Sequence, residues 1–234
     1  MNMEVSNEVM NIYGNDGDQF DKAAIDTAGN IICIGHVKSE GSDTKYPLVV
    51  KYDTNLNVLF KKMYYDINLD EFRGVTTDSS GNIICIGWTV SEETDSDVAV
   101  VVKFDTNLNI IAKRIYGDSG GDWFNGVATD SSGNVICVGH TTPGSTSGAG
   151  SYDALVVKFD TNLNIIAKRI YSDSGDSGDE FDQVTTDSND NVICVGWTDS
   201  EGAGSSEYPN RVDALIVKYD SDLDIHWTYS FRSI

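Results

Sequence analysis

Residues 101–116 read VVKFDTNLNIIAKRIY, and residues 156–171 repeat that string without a change. The V-K-aromatic-D core inside it returns around Lys51, Lys103, Lys158 and Lys218, once in each quarter of the chain. Working outward, a second string precedes each core: IICIGH (31–36), IICIGW (83–88), VICVGH (135–140) and VICVGW (192–197). Further upstream, Phe20, Phe72, Phe124 and Phe181 keep the same register, at spacings of 52, 52 and 57 residues. The 234 residues are therefore four copies of one unit, at about 15–66, 67–118, 119–173 and 174–234.

Each copy holds four strand-like runs parted by turn signals, as in FRGVTTD, SSGN, IICIGWT, a polar loop, DVAVVVKFD, TNLN and IIAKRIY. The second run is apolar on both parities, Ile83 and Cys85 against Ile84 and Ile86, so both faces of the sheet must be covered. A lone meander cannot do that, and a two-layer sandwich leaves one face of each strand wet; radially stacked blades cover both. Ser80-Gly81-Asn82 and its counterparts suit tight hairpins. Lys113 and Arg114 make the fourth run the most polar, as befits an outer edge strand. The expected fold is all-β: a single β-propeller domain of four blades, each a four-stranded antiparallel meander.

Ile12-Tyr13-Gly14 matches Ile115-Tyr116-Gly117, so residues 9–14 supply a further fourth-strand sequence, a seventeenth strand for sixteen slots. Either this strand closes the ring beside the last blade, giving a monomer, or two open chains pair as a homodimer, each forming half of an eight-bladed ring. The closed monomer is the expectation taken here.

The motifs DSSGN, IICIGWT, DALVVKFD and IIAKRIYG together resemble the bacterial β-propeller repeat family described as seven-bladed propeller repeats, over nearly all of residues 12–228. That resemblance implies a binding or spacer module, often on a larger exported protein. This chain differs in having four copies and Cys in the second strand.

Hydrophobic residues at 40% and charged residues at 23% match ordinary globular usage. A net charge of -21 repels nucleic-acid backbones and anionic membranes, so neither is an expected partner. The opening MNMEVSNEVMNIYG lacks the basic start and apolar stretch of a secretion signal, and no segment is long and apolar enough to span a bilayer. The expectation is a soluble cytoplasmic protein, or an extracellular one if the chain is part of an exported protein. Cys33, Cys85, Cys137 and Cys194 each sit in an apolar run and read as buried, reduced thiols.

In a meander blade the loops between strands two and three share one end with the interblade links. Length variation is confined to that end: His36 to Lys51 and Trp88 to Lys103 span 15 residues, His140 to Lys158 18, and Trp197 to Lys218 21. Variable loops on a rigid scaffold mark a binding face. At its rim His36, Trp88, His140 and Trp197 alternate, two opposed His and two opposed Trp in a closed ring. They frame a pocket for a small molecule or glycan, or else pack between blades. Trp123 stands where Gln19, Glu71 and Glu180 stand elsewhere, a further candidate contact. Asp18, Asp70, Asp122 and Asp179 form a second set, able to hold calcium if they converge, or to accept backbone amides. The four lysines are expected to pair with acidic side chains across blades. No nucleophile elbow, phosphate loop, dinucleotide fingerprint or zinc helix is present, which favours a non-enzymatic binding module needing no cofactor. The alternatives are a protein-interaction scaffold docking through residues 141–152 or 198–211, and a hydrolase or lyase using the aspartates.

Overall fold

A computed structural model describes residues 18–38, 45–64, 71–91, 93, 95–117, 121–142, 152–172, 178–198 and 212–231. Residues 9–14, Asp70 and most of the loops at 141–152 and 198–211 lie outside them. Blade one comprises β1 (Gln19–Ile25), β2 (Ile31–Lys38), β3 (Lys45–Tyr52) and β4 (Val58–Met63). Blade two comprises β5 (Glu71–Thr77), β6 (Ile83–Val90), β7 (Asp97–Phe104) and β8 (Ile110–Tyr116). Blade three follows with β9 (Asp122–Thr129), β10 (Val135–Thr141), β11 (Asp153–Phe159) and β12 (Ile165–Tyr171). Blade four ends the set with β13 (Asp179–Thr186), β14 (Val192–Thr198), β15 (Asp213–Tyr219) and β16 (Ile225–Phe231). Each blade is an antiparallel sheet in sequence order, and the four form a β-propeller. Among the described residues no helix is long and apolar enough to cross a membrane.

Both hairpins of blades one to three are tied by one device. In DSSGN the Asp78 carboxylate accepts the backbone amides of Ser80 and Asn82 through one oxygen and the Asn82 side-chain amide through the other. Asp105 does the same for Asn107 and Asn109 in the second hairpin. An Asp four residues before an Asn thus closes the turn with three bonds in place of one. Gly81 takes the positive φ of 79° that the first hairpin needs, whereas the second places Leu108 at 64°.

That Leu shows how blades stack. The side of blade one bearing Ile32, Ile34 and Val49 packs on the side of blade two bearing Phe72, Cys85 and Leu108. Blades two and three, and three and four, repeat the arrangement with the corresponding residues. β6 and β10 are consequently buried on both faces, and β8, β12 and β16 are the exposed outer edges. Lys103 spans one such junction: its ammonium lies 3.0 Å from Asp78 in its own blade and donates to the Thr161 carbonyl of the next. Lys51 and Lys158 are placed alike. The expected acid partner is therefore within the blade, and the bond across blades goes to a carbonyl, because the Asp closing the first hairpin is already under the lysine.

Candidate functional site

The inner strands β1, β5, β9 and β13 each carry a β-bulge just after the repeat phenylalanine. Phe72 pairs with Gly87 and Gly74 with Ile86, so Arg73 is left over; Asp21, Asn125 and Asp182 are left over in the same way. A bulge turns its extra residue out of the ladder and re-aims its side chain. The glycine of the ICIG string makes the bulge possible. A Cβ at Gly35, Gly87, Gly139 or Gly196 would overlap the carbonyl oxygen of Gln19, Glu71, Trp123 or Glu180 on the facing strand.

The four bulged side chains share one cavity of about 400 Å³, with Lys22, Glu71, Glu180 and Gln183 completing its polar wall. Inner strands from all four blades thus contribute to a single space. The Asn125 side-chain amide donates to Glu180 Oε1 and to the Phe181 carbonyl, and its oxygen lies 3.5 Å from an Arg73 nitrogen. His140 Nδ1 approaches Glu180 Oε1 to 3.3 Å. Burial pushes the Glu180 carboxyl up, but His140, Asn125 and Arg73 together pull it below the usual range. Asp182, two residues along, is pushed up by burial and by the Glu180 charge. Two neighbouring carboxyls are thereby held with opposite tendencies to keep a proton.

Above the cavity the aromatic residues at the rim form one run. Trp88 stacks on Trp123 at 5.3 Å and 5°, Trp123 reaches His140 at 5.9 Å, His140 meets Tyr152 at 4.6 Å, and Tyr152 abuts Trp197 edge-on at 5.8 Å. These contacts follow the order of the blades. His36 stands apart from them, buried, with Nδ1 3.7 Å from Asp21. Trp123 stacks on Trp88 and has the Arg73 guanidinium 4.2 Å from its ring. The rim and the cavity meet through two side chains, Arg73 and Glu180.

The four aspartates were open to two readings, calcium binding if they converge or acceptance of backbone amides. Asp18 accepts the Lys38 backbone amide at 2.8 Å, while Asp122 and Asp179 are buried, one to a blade, at the starts of β9 and β13. Among the described residues no three His, Cys, Asp or Glu side chains gather as a metal site. Asp122 and Asp179 thus open their inner strands, and Asp18, just before β1, holds the end of β2 in its own blade. Asp70 lies outside the described residues. The cysteines are unpaired by disulfides, and burial pushes the Cys85, Cys137 and Cys194 thiols up.

Sequence reading missed Asp21, Arg73, Asn125 and Asp182 because it looked for what repeats. Their signal is the reverse: between QFDKAAI, EFRGVTT, WFNGVAT and EFDQVTT the phenylalanine is constant and the following position holds Asp, Arg, Asn and Asp.

No family model matches the chain, and no curated protein matches it. Among solved structures, it is similar to an acylaminoacyl peptidase from Pyrococcus horikoshii, at 8% identity and a TM-score of 0.54 over 93% of this chain and 32% of that one. It is also similar to the polysaccharide lyase Uly1, at 9% identity and a TM-score of 0.52 over 92% of this chain and 49% of that one. The chain spans about a third and about half of these two proteins. At such identities the likeness is one of fold alone.

Proposed function

We propose that this protein is a non-enzymatic binding module that captures a polyhydroxylated small molecule or glycan in the central cavity. One observation carries the reading: in repeats that otherwise keep their residues in register, the bulged position that faces the shared cavity holds three residue types over four blades, Asp21, Arg73, Asn125 and Asp182. A scaffold selected only for stacking has no reason to diversify there, whereas an asymmetric ligand does. The wall combines donors (Arg73, Lys22, Asn125, Gln183) with carboxylate acceptors (Asp21, Glu71, Glu180, Asp182). Hydroxyl groups, which donate and accept, match such a wall, and a strongly charged anion or an apolar ligand does not.

The test is a glycan array followed by calorimetry on the hits. Arg73→Ala and Asn125→Ala each lower affinity at least about tenfold, the loss of about 1.4 kcal/mol expected for a good polar contact. Trp227→Ala, on the exposed edge strand β16, leaves it unchanged. Retained affinity in the first two, with loss in Trp88→Ala or Trp197→Ala, would move the site to the rim. The opposed tendencies of Glu180 and Asp182 favour a second reading, hydrolase or lyase chemistry on the same ligand. Mass spectrometry of the incubated hit decides it: shortened products that vanish in Asp182→Asn would replace binding by catalysis.

A further inference from the structure

Three interior junctions use one socket, and the two outward sides of the array carry its unused halves. At each junction a positive-φ leucine of the later blade is buried: Leu108 is 1% exposed, Leu163 2% and Leu223 0%. The equivalent in blade one is Leu56, with the same φ of 65° and 53% exposed. A left-handed leucine is strained unless packing holds it, and among the described residues Leu56 is not covered as its three counterparts are. The repeat phenylalanine is fully buried as Phe72, Phe124 and Phe181, and is 42% exposed as Phe20, whose ring meets Tyr52 of its own blade.

Blade four offers the other half. Val138, which packs under Phe181 in the third junction, is fully buried, while its counterpart Val195 is 39% exposed. Lys158 donates to the Ser221 carbonyl of the next blade; Lys218 occupies the same position, keeps its own aspartate, Asp187, at 2.8 Å, and is far more exposed. Tyr64 and Tyr171 lie against the phenylalanine of the following blade, and the matching Phe231 is 61% exposed. One element does not match. Thr77, Thr129 and Thr186 donate to a carbonyl of the preceding blade, and Ile25 in their place cannot. The junction would lose that bond and keep the rest.

We propose that two copies of this chain associate head to tail, the outward side of blade four in each covering blade one of the other, to form a two-fold ring of eight blades. The occupant is fixed by chemistry already present three times in the molecule. A side shaped for Leu, Phe and a lysine-accepting carbonyl is complementary to a blade of this repeat, and a second copy presents one. In the assembled ring Lys218 reaches the Thr54 carbonyl of its neighbour as Lys51 reaches Thr106. Reciprocal contact leaves neither side over, so the assembly stops at two.

Sedimentation velocity on the full chain at micromolar concentration tests this. The expected species has twice the 25.5 kDa mass of the chain. Leu56→Glu and Val195→Glu each change an exposed residue, so each variant folds, as far-UV circular dichroism will confirm, and sediments as a monomer. An equimolar mixture of the two regains a dimer, because one of its two junctions is intact. Cys33, half-buried where its three counterparts are buried, supplies a second readout. It resists thiol reagents in the wild type, and one thiol per chain reacts in either variant. A wild-type monomer overturns the proposal, whether Cys33 reacts or is shielded by the chain's own residues. Dimer loss in Leu56→Glu but not in Val195→Glu overturns it in favour of a like-to-like contact, and species larger than a dimer overturn the closed ring.

Discussion

Gly139 shows how one missing atom shapes the site. With no Cβ it lets the Trp123 carbonyl approach, which allows the bulge at Asn125, which aims an amide at Glu180. Gly139→Ala forces the strands apart at that point and is expected to cost about 3 kcal/mol in urea denaturation. It should also weaken ligand binding to the level of Asn125→Ala in the fraction that remains folded. If stability falls and affinity does not, the bulge supports the fold without serving the site. The glycine was visible in ICIG from the start, but its purpose was not, because a bulge is a relation between two strands. Leu108 was hidden for a similar reason. Nothing in DTNLN marks a leucine for positive φ, since the compensation comes from the preceding blade.

The hairpin aspartates set the response of the blades to acid. Asp26, Asp78 and Asp130 are buried, which raises their pKa, yet the asparagine side chains, the buried lysines and backbone amides outweigh that; all three fall below the usual value, Asp26 to about 2. A carboxyl with a lower pKa folded than unfolded adds stability above its unfolded value, near 3.8, and loses it as pH falls through the folded one. Melting temperature should therefore vary little among these groups from pH 7 to 5 and drop steeply from about pH 4 toward 2. Asp78→Asn should lower the neutral value and flatten the drop; an unchanged acid transition in that variant would exclude this origin. At this scale the sequence was readable where apolar periodicity governs: the doubly buried second strands of blades two and three and the exposed outer strands appear as expected. It was opaque where pairing is chosen in three dimensions, as with Lys103, whose acid lies across its own blade and whose carbonyl lies in the next.

Across the whole molecule the net charge of -21 opposes association of two copies, while the apolar sides of blades one and four favour it. Screening removes the first and leaves the second. Dimerisation should thus strengthen as ionic strength rises from about 0.01 to about 0.15 M, over which the Debye length shrinks from about 30 to about 8 Å. Weakening with salt would point to cross-junction ion pairs as the main attraction and against the apolar sockets. The four-unit architecture was legible because the copies are so alike. Closure was not, since a repeat describes how one unit meets the next and is silent on what meets the last.

That uniform junction has a genetic consequence. Because the three interior junctions repeat one set of contacts, duplicating or deleting an interior copy in the coding sequence keeps those contacts in a longer or shorter array. The bulged residue of each copy then adds or removes one voice on the inner wall. Specificity in such a lineage can change by copying and single-letter drift at one position per unit, with the stacking surfaces left untouched.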